Sequence, residues 1–313
     1  MPRIWAPGDP LPPEAIWLDL LRPSREEELA VEACIGAEVP TEADISEIEV
    51  SSRLYVEDGV RYMTASVLAG IQQDRPGLVN VGFVLAGERL VTVRHGEPRV
   101  LTLFSNRVCK LAHGPESGQA MLISLLDAVI DRTADILERV GGEVDETSRR
   151  IFSRESTRMR KKRDFMAIIQ QIGRKGDLLS MTRESLVSLS RLVGFLSAKH
   201  EGVGFGKEQR SQLLVLAADA ESLRDHTSYL SDKITFLLDA TVGMVTIEQN
   251  DLVKLFSVVS VILMPPTLIA STYGMNFDFM PELHLHFGYP LALGAMALSA
   301  VVPYLIFRMK GWL

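Results

Sequence analysis

LFSVVSVILMPPTLIASTY at 255–273 and YPLALGAMALSAVVPYLIF at 289–307 are two apolar stretches, and no Lys or Arg stands between Lys254 and Arg308. Each approaches the ~20 predominantly apolar residues that a helix needs to cross a ~30 Å hydrocarbon core. The sequence therefore predicts a membrane protein with transmembrane helix 1 over 255–273, an external loop over 274–288 and transmembrane helix 2 over 289–307. Charge decides the sense of insertion. The loop carries Asn276, Asp278, Glu282, His284 and His286 but no fixed positive charge, whereas Lys254 precedes the first span and Arg308 and Lys310 follow the second. The positive-inside bias places the long N-terminal region and the 308–313 tail in the cytoplasm, with the loop outside. Met1 to Pro10 is rich in proline and lacks an apolar run, so no signal peptide is expected.

The 313-residue chain carries a net charge of −7, which argues against nucleic acid as a partner. Its two cysteines, Cys34 and Cys109, lie far apart and outside any metal-ligand spacing; reduced, packed thiols are the expectation. No nucleotide loop, nucleophile elbow or paired acids are visible, so neither an enzyme nor an organic cofactor is expected.

Upstream of the spans the chain divides in two. Over 1–117 the pattern is mixed and predicts a small cytoplasmic α/β domain. Ala15 to Leu20 has strand character; Ser24 with Glu27 three residues on is a capping-box signal for a helix. Asp58-Gly59 sits between β-prone flanks, and Val79 to Val93 holds two apolar runs around Gly87. Beyond Gly118 strand signals give way to helix-period apolar residues, and no proline occurs between Pro115 and Pro265. This predicts a cytoplasmic helical hairpin over 118–206, broken at Gly202 to Gly206. A stalk helix over 207–254 should then run unbroken into the first span.

That long helix carries a stripe. Asp239, Val242, Thr246, Asn250, Val253, Ser257, Ser260, Met264, Thr267, Ser271 and Gly274 are separated by steps of three and four residues. Hydroxyls, an amide and a carboxylate are unusual on a lipid-facing surface. Small and polar residues commonly glue helices together in membranes, and that is the ordinary explanation. A two-span protomer has little with which to bury so many polar groups, so a water-filled axis shared by several copies satisfies them better.

Tyr273-Gly274-Met275-Asn276-Phe277-Asp278-Phe279-Met280-Pro281-Glu282-Leu283, then Phe287-Gly288-Tyr289-Pro290 and the terminal Gly311-Trp312-Leu313, resembles the CorA family of magnesium and cobalt channels. The likeness extends upstream through Ile247-Glu248-Gln249-Asn250 and Phe256 to Val261, closest to the short enterobacterial type. The resemblance implies a homopentameric funnel, an α+β membrane protein whose first span lines the pore. It implies a selectivity filter at Gly274, Met275 and Asn276, a polar ring at Asn250, a hydrophobic constriction near Val253, Phe256 and Met264, and a further polar ring at Thr267. It also implies Mg²⁺ as both transported and regulatory ion, with Co²⁺ and Ni²⁺ as further cargo, and cytoplasmic carboxylates that sense Mg²⁺ between subunits. Asp219, Glu221 and Asp225 are the candidates for that sensing.

The chemistry of the ion fits an amide filter. Mg²⁺ dehydrates reluctantly, so Asn276 carbonyls accepting hydrogen bonds from its bound waters avoid the cost of stripping them. A glycine at 274 permits a backbone turn that a larger residue would hinder. Asp278 and Glu282 concentrate cations outside the mouth. Two charges crossing an inside-negative membrane gain roughly 4.6 kcal/mol per 100 mV, so influx needs no ATP. Apolar rings can gate such a pore by dewetting.

Other signals have plainer readings. Asp127, Asp131, Asp135 and Glu138 make a solvated helix face. The basic run from Arg149 to Arg163 marks an exposed hairpin end near lipid headgroups. His284 and His286 are too few for a zinc site. Two rival functions remain: a zinc transporter of the same superfamily, and a membrane-anchored sensor or interaction protein. An anchor has no need for Asn250, Thr267 and Asn276 on one line.

Overall fold

The computed structural model describes residues 4–5, 15–47, 49, 53–73, 75–110, 114–152, 165–198, 204–276, 280–281 and 286–312. Two compact units, Met1–Leu238 and Asp239–Leu313, divide the chain.

In the first unit a six-stranded sheet is ordered β1-β2-β6-β5-β4-β3, from β1 (Ile4–Trp5), β2 (Trp17–Leu21), β3 (Leu54–Glu57), β4 (Val60–Ala69), β5 (Gly77–Ala86) and β6 (Arg89–Arg94). β1, β2 and β6 run parallel to one another, and β6 to β3 form an antiparallel meander. Both two-residue turns follow from local chemistry. Asp58 and Gly59 adopt φ of 49° and 79°, the positive pair that a tight hairpin demands, and Gly87 takes φ 55° at the β5–β6 turn.

Alternation along the strands gives the sheet two apolar faces. Leu18, Leu20, Tyr62, Val84, Val91 and Val93 pack beneath α1 (Arg25–Ile35) and α2 (Glu42–Ser46) with Val31 and Ile45. Ser24 caps α1 in a full capping box with Glu27. On the other face Trp17, Met63, Ala65, Phe83 and Leu90 share one core with α3 (Arg99–Val108), α4 (Gly118–Phe152), α5 (Phe165–Ser197) and the start of α6 (Lys207–Tyr273). The sheet and the helices after Gly118 therefore share one continuous core.

A buried polar chain crosses β2 and β6. Trp17 Nε1 donates to Thr92 Oγ1 at 2.9 Å, Thr92 Oγ1 donates to Asp19 Oδ1 at 2.8 Å, and Arg94 grips both Asp19 oxygens at 3.1 and 2.8 Å. Buried charges persist only when paired and hydrogen-bonded in this way. Asp19, inside an apolar strand pattern, gave no sign of this in the sequence.

The cysteines differ from expectation. Neither is disulfide-bonded, but Cys109 is exposed at the end of α3 instead of packed, because the helix turns its buried face through Val108. Cys34 is half-covered, its sulfur 2.7 Å from Arg89 Nη1.

The second unit holds the rest of α6 and α7 (Gly288–Met309), the two helices long and apolar enough to cross a membrane. α6 is helical without a break through Pro265 and Pro266.

Candidate functional site

The stripe predicted on α6 is open along its whole length. Every one of its residues from Asp239 to Gly274 is exposed in the protomer. Coverage lies elsewhere: Val258 is buried, and Ile262, Pro265, Pro266 and Ile269 are partly covered. At about 100° per residue these covered positions centre roughly opposite the stripe. On α7 a matching set, Ala292, Ala295, Met296, Ser299, Pro303 and Phe307, is likewise partly covered. The polar line is thus the face that the protomer leaves unpartnered.

Its hydroxyls are arranged for accepting. Thr246, Ser257, Ser260 and Thr267 each donate to the carbonyl four residues back, at 3.1, 2.8, 2.9 and 2.8 Å. With the proton committed to the helix, each oxygen's lone pairs remain for an outside donor, such as water on a cation. Asn250 lies exposed below them. Val253, Phe256 and Met264 are 64%, 70% and 74% exposed, an apolar surface with no partner in the protomer. Phe256 and Ser257 are both open, so either can face a shared axis.

At the end of α6, Gly274 N donates to Ala270 O at 3.0 Å and Met275 N to Thr272 O at 3.4 Å, and Asn276 leaves the helix exposed. Gly274 is not among the glycines with positive φ, so backbone freedom is not its reason. A Cβ there would stand 3.1 Å from Ala270 O, a tight approach; the position is constrained by crowding. The last carbonyls of a helix carry partial negative charge, so α6 turns its cation-attracting end toward Asn276. Asp278, Glu282 and His284 lie outside the described residues, as does most of the basic run; His286 is exposed beside Phe287.

The sensing candidates separate. Arg224 holds Glu221 at 2.7 Å and lies 3.9 Å from Asp225, whereas Asp219 has no such partner among the described residues. Asp219 on α6 acts instead on Asp127 of α4, whose carboxyl is pushed above the usual range by burial first, then by Asp131 and Asp219, against Arg107. Asp131, Asp135 and Glu138 are exposed, with Arg132 3.5 Å from Asp135. Among the described residues no three His, Cys, Asp or Glu side chains converge to hold a metal within one protomer.

One contact near the apolar surface escaped the sequence. Lys254, read only as a topological charge, places its ammonium 5.5 Å from the Trp312 ring, which stacks on Phe307. A lysine at a span entry and a tryptophan just past the following span are the available signals.

Fold and stripe together define a two-span membrane protein in which one very long helix runs from an α/β body through the first span. Residues 13–309 match the model of the CorA-like Mg²⁺ transporter protein family, and the chain belongs to that family. Among its relatives are "Magnesium transport protein CorA" of Haemophilus influenzae and of Escherichia coli K12, each 34% identical and covering 96% of this chain and 92% of the relative. That of Pasteurella multocida is 35% identical over the same shares. The fold is similar to the complete structure of the CorA magnesium transporter from Methanocaldococcus jannaschii, with a TM-score of 0.74 at 20% identity over 95% of this chain and 91% of that one. It is also similar to the full-length CmaX protein, with a TM-score of 0.67 at 14% identity over 95% and 88%.

Proposed function

We propose that this chain is a magnesium channel that carries Mg²⁺, and with it Co²⁺, into the cytoplasm down the electrochemical gradient. The observation that carries the reading is the exposed line of acceptor oxygens on α6, ending at Asn276 and lying roughly opposite the covered face of the same helix. A lone two-span protomer would expose those groups to hydrocarbon; copies placed around a common axis turn them to water. Relatives named magnesium transport proteins, at 34% identity along nearly the whole chain, support the choice of ion.

In this reading five protomers enclose the pore. Asn276 and the neighbouring carbonyls hold the hydrated ion at the outer mouth, and Thr267 and Asn250 form polar rings further in. Val253, Phe256 and Met264 close the path by excluding water when the gate is shut. The body over 1–254 and the 308–313 tail lie in the cytoplasm, where Mg²⁺ between carboxylates of adjacent subunits favours closure. Asp278 and Glu282 draw cations to the loop.

The deciding experiment is Mg²⁺ and Co²⁺ flux into vesicles that contain only this protein. Saturable uptake, faster with an inside-negative potential, is the expected result. Vesicles that take up Zn²⁺ but not Mg²⁺ would move the reading to a zinc transporter, and vesicles impermeable to all three would leave a membrane-anchored sensor.

A further inference from the structure

A cleft of about 530 Å³ opens in the α/β body between the end of β4, the first turn of α3 and the middle of α4. It belongs wholly to the first unit and takes no part in the pore. Among the described residues three arginines line it, Arg22, Arg99 and Arg132, with Glu97 as the one carboxylate. Two positive charges are therefore in excess at one place on a chain whose net charge is −7.

The charges are poorly spent inside the protein. Among the described residues Arg99 makes no ion pair or hydrogen bond, and Arg132 pairs with the exposed Asp135 at 3.5 Å. Arg22 gives one N–H, from Nε, to His95 O at 3.0 Å, and its remaining guanidinium donors have no partner among the described residues. A second cleft, of about 520 Å³, is lined by Arg139, Arg174 and Lys175, where Glu143 engages Lys175 and lies 3.8 Å from Arg139.

The first cleft is also held in shape. Arg22 has φ 48°, a left-handed conformation that costs a non-glycine residue energy. It is kept there by its own N–H bonded to Arg94 O at 2.9 Å as well as by the His95 contact. Arg94 in turn is locked by Asp19 and by Gly96 O at 3.2 Å. On the far side, Arg99, Val100 and Thr102 in the first turn of α3 line the same opening, after an N-cap, Pro98, that makes no side-chain cap. The remaining walls are mixed: Thr102 and Gln72 supply neutral hydrogen-bonding groups, while Ala69 and Ile71 are partly open apolar residues above the buried Val67, Val100 and Ile136.

Guanidinium forks match phosphate oxygens, and a cleft of several hundred Å³ with a partly apolar wall suits an organic body attached to them. We propose that this cleft binds an organic phosphate of the nucleoside polyphosphate class, its phosphates on Arg22, Arg99 and Arg132 and its nucleoside against Ala69 and Ile71. The site is independent of the transport reading.

Equilibrium binding of ATP to the full-length protein in detergent, at physiological salt and with divalent cations chelated, tests it. Saturable binding is expected, weakened about tenfold or more in Arg99→Gln and in Arg132→Gln, with Arg139→Gln at the second cleft unchanged. Arg99 is the primary variant because it supports nothing in the fold, and a thermal melt matching the parent protein verifies this. Pyrophosphate is expected to bind at least about tenfold more weakly than ATP, since it lacks the part that meets the apolar wall. Absence of saturable ATP binding, or binding equal in the parent and both cleft variants, would overturn the site; pyrophosphate binding as tightly as ATP would overturn its assignment to an organic phosphate.

Discussion

Asn276 stands exposed just past the end of α6, where its amide packs little and its loss should leave the fold intact. Asn276→Ala is therefore expected to assemble normally yet pass Mg²⁺ about tenfold or more slowly, the worth of one lost ring of hydrogen bonds to the hydrated ion. Hexaamminecobalt, a rigid mimic of that ion, should block the parent channel from outside and lose potency in the variant. Undiminished flux through a properly assembled Asn276→Ala protein would show that the filter lies elsewhere. Asp127 offers a test of a different kind. Its carboxyl is raised by burial and by Asp131 and Asp219, so the folded state favours the protonated form. The stability this contributes is fully present below the ordinary carboxylate range, about pH 4, and is lost as pH rises through the raised value. Asp127→Asn should accordingly raise the melting temperature at pH 7 and give no gain near pH 3; an equal gain at both would mean the effect is not electrostatic.

Among the elements, the junction of α4 with the β5–β6 turn leaves little room. Gly118 N donates to Glu88 O at 2.7 Å, and a Cβ at Gly118 would lie 2.6 Å from the Arg89 carbonyl carbon and 2.9 Å from its nitrogen. Backbone atoms of a tight turn have nowhere to move, so Gly118→Ala should destabilise the protein by about 1–3 kcal/mol, seen as a lowered thermal midpoint. Gly142, with open space around its Cβ, should accept alanine at no such cost. Periodicity told where these helices begin and end: the break at Gly118 and the long run to Tyr273 both stand in the structure as they read in the sequence. It did not tell why position 118 must be glycine, since the obstructing carbonyl comes from a turn about thirty residues earlier.

For the whole molecule, the exposed stripe predicts assembly. Native mass measurement in detergent should find a homopentamer, and a monomer or dimer that still conducts would sink the shared pore. Regulation belongs to the same scale. Asp219 on α6 raises Asp127 on α4 while Arg107 acts against it, and among the described residues no three metal-binding side chains converge within one protomer. Carboxylates of neighbouring subunits would have to complete a site, with bound Mg²⁺ holding together groups that otherwise repel. Chelating Mg²⁺ should then increase protease sensitivity or subunit spacing; identical behaviour with and without millimolar Mg²⁺ would count against gating by the ion.

The two spans, the unbroken helix, the hairpin turns and the capped first helix were all legible in the chain, because each depends on composition or on contacts within a few residues. The exposed line on α6 from Asp239 to Gly274 was legible for the same reason: regular spacing on a helix places residues on one face whatever surrounds it. Other features required the tertiary structure. The Asp19–Arg94 pair joins strands 75 residues apart, Lys254 meets Trp312 across a hairpin, and the arginine cleft collects Arg22, Arg99 and Arg132 from three separate elements. Periodicity records which way a residue points along its own element, but only the packing of elements decides what it meets there.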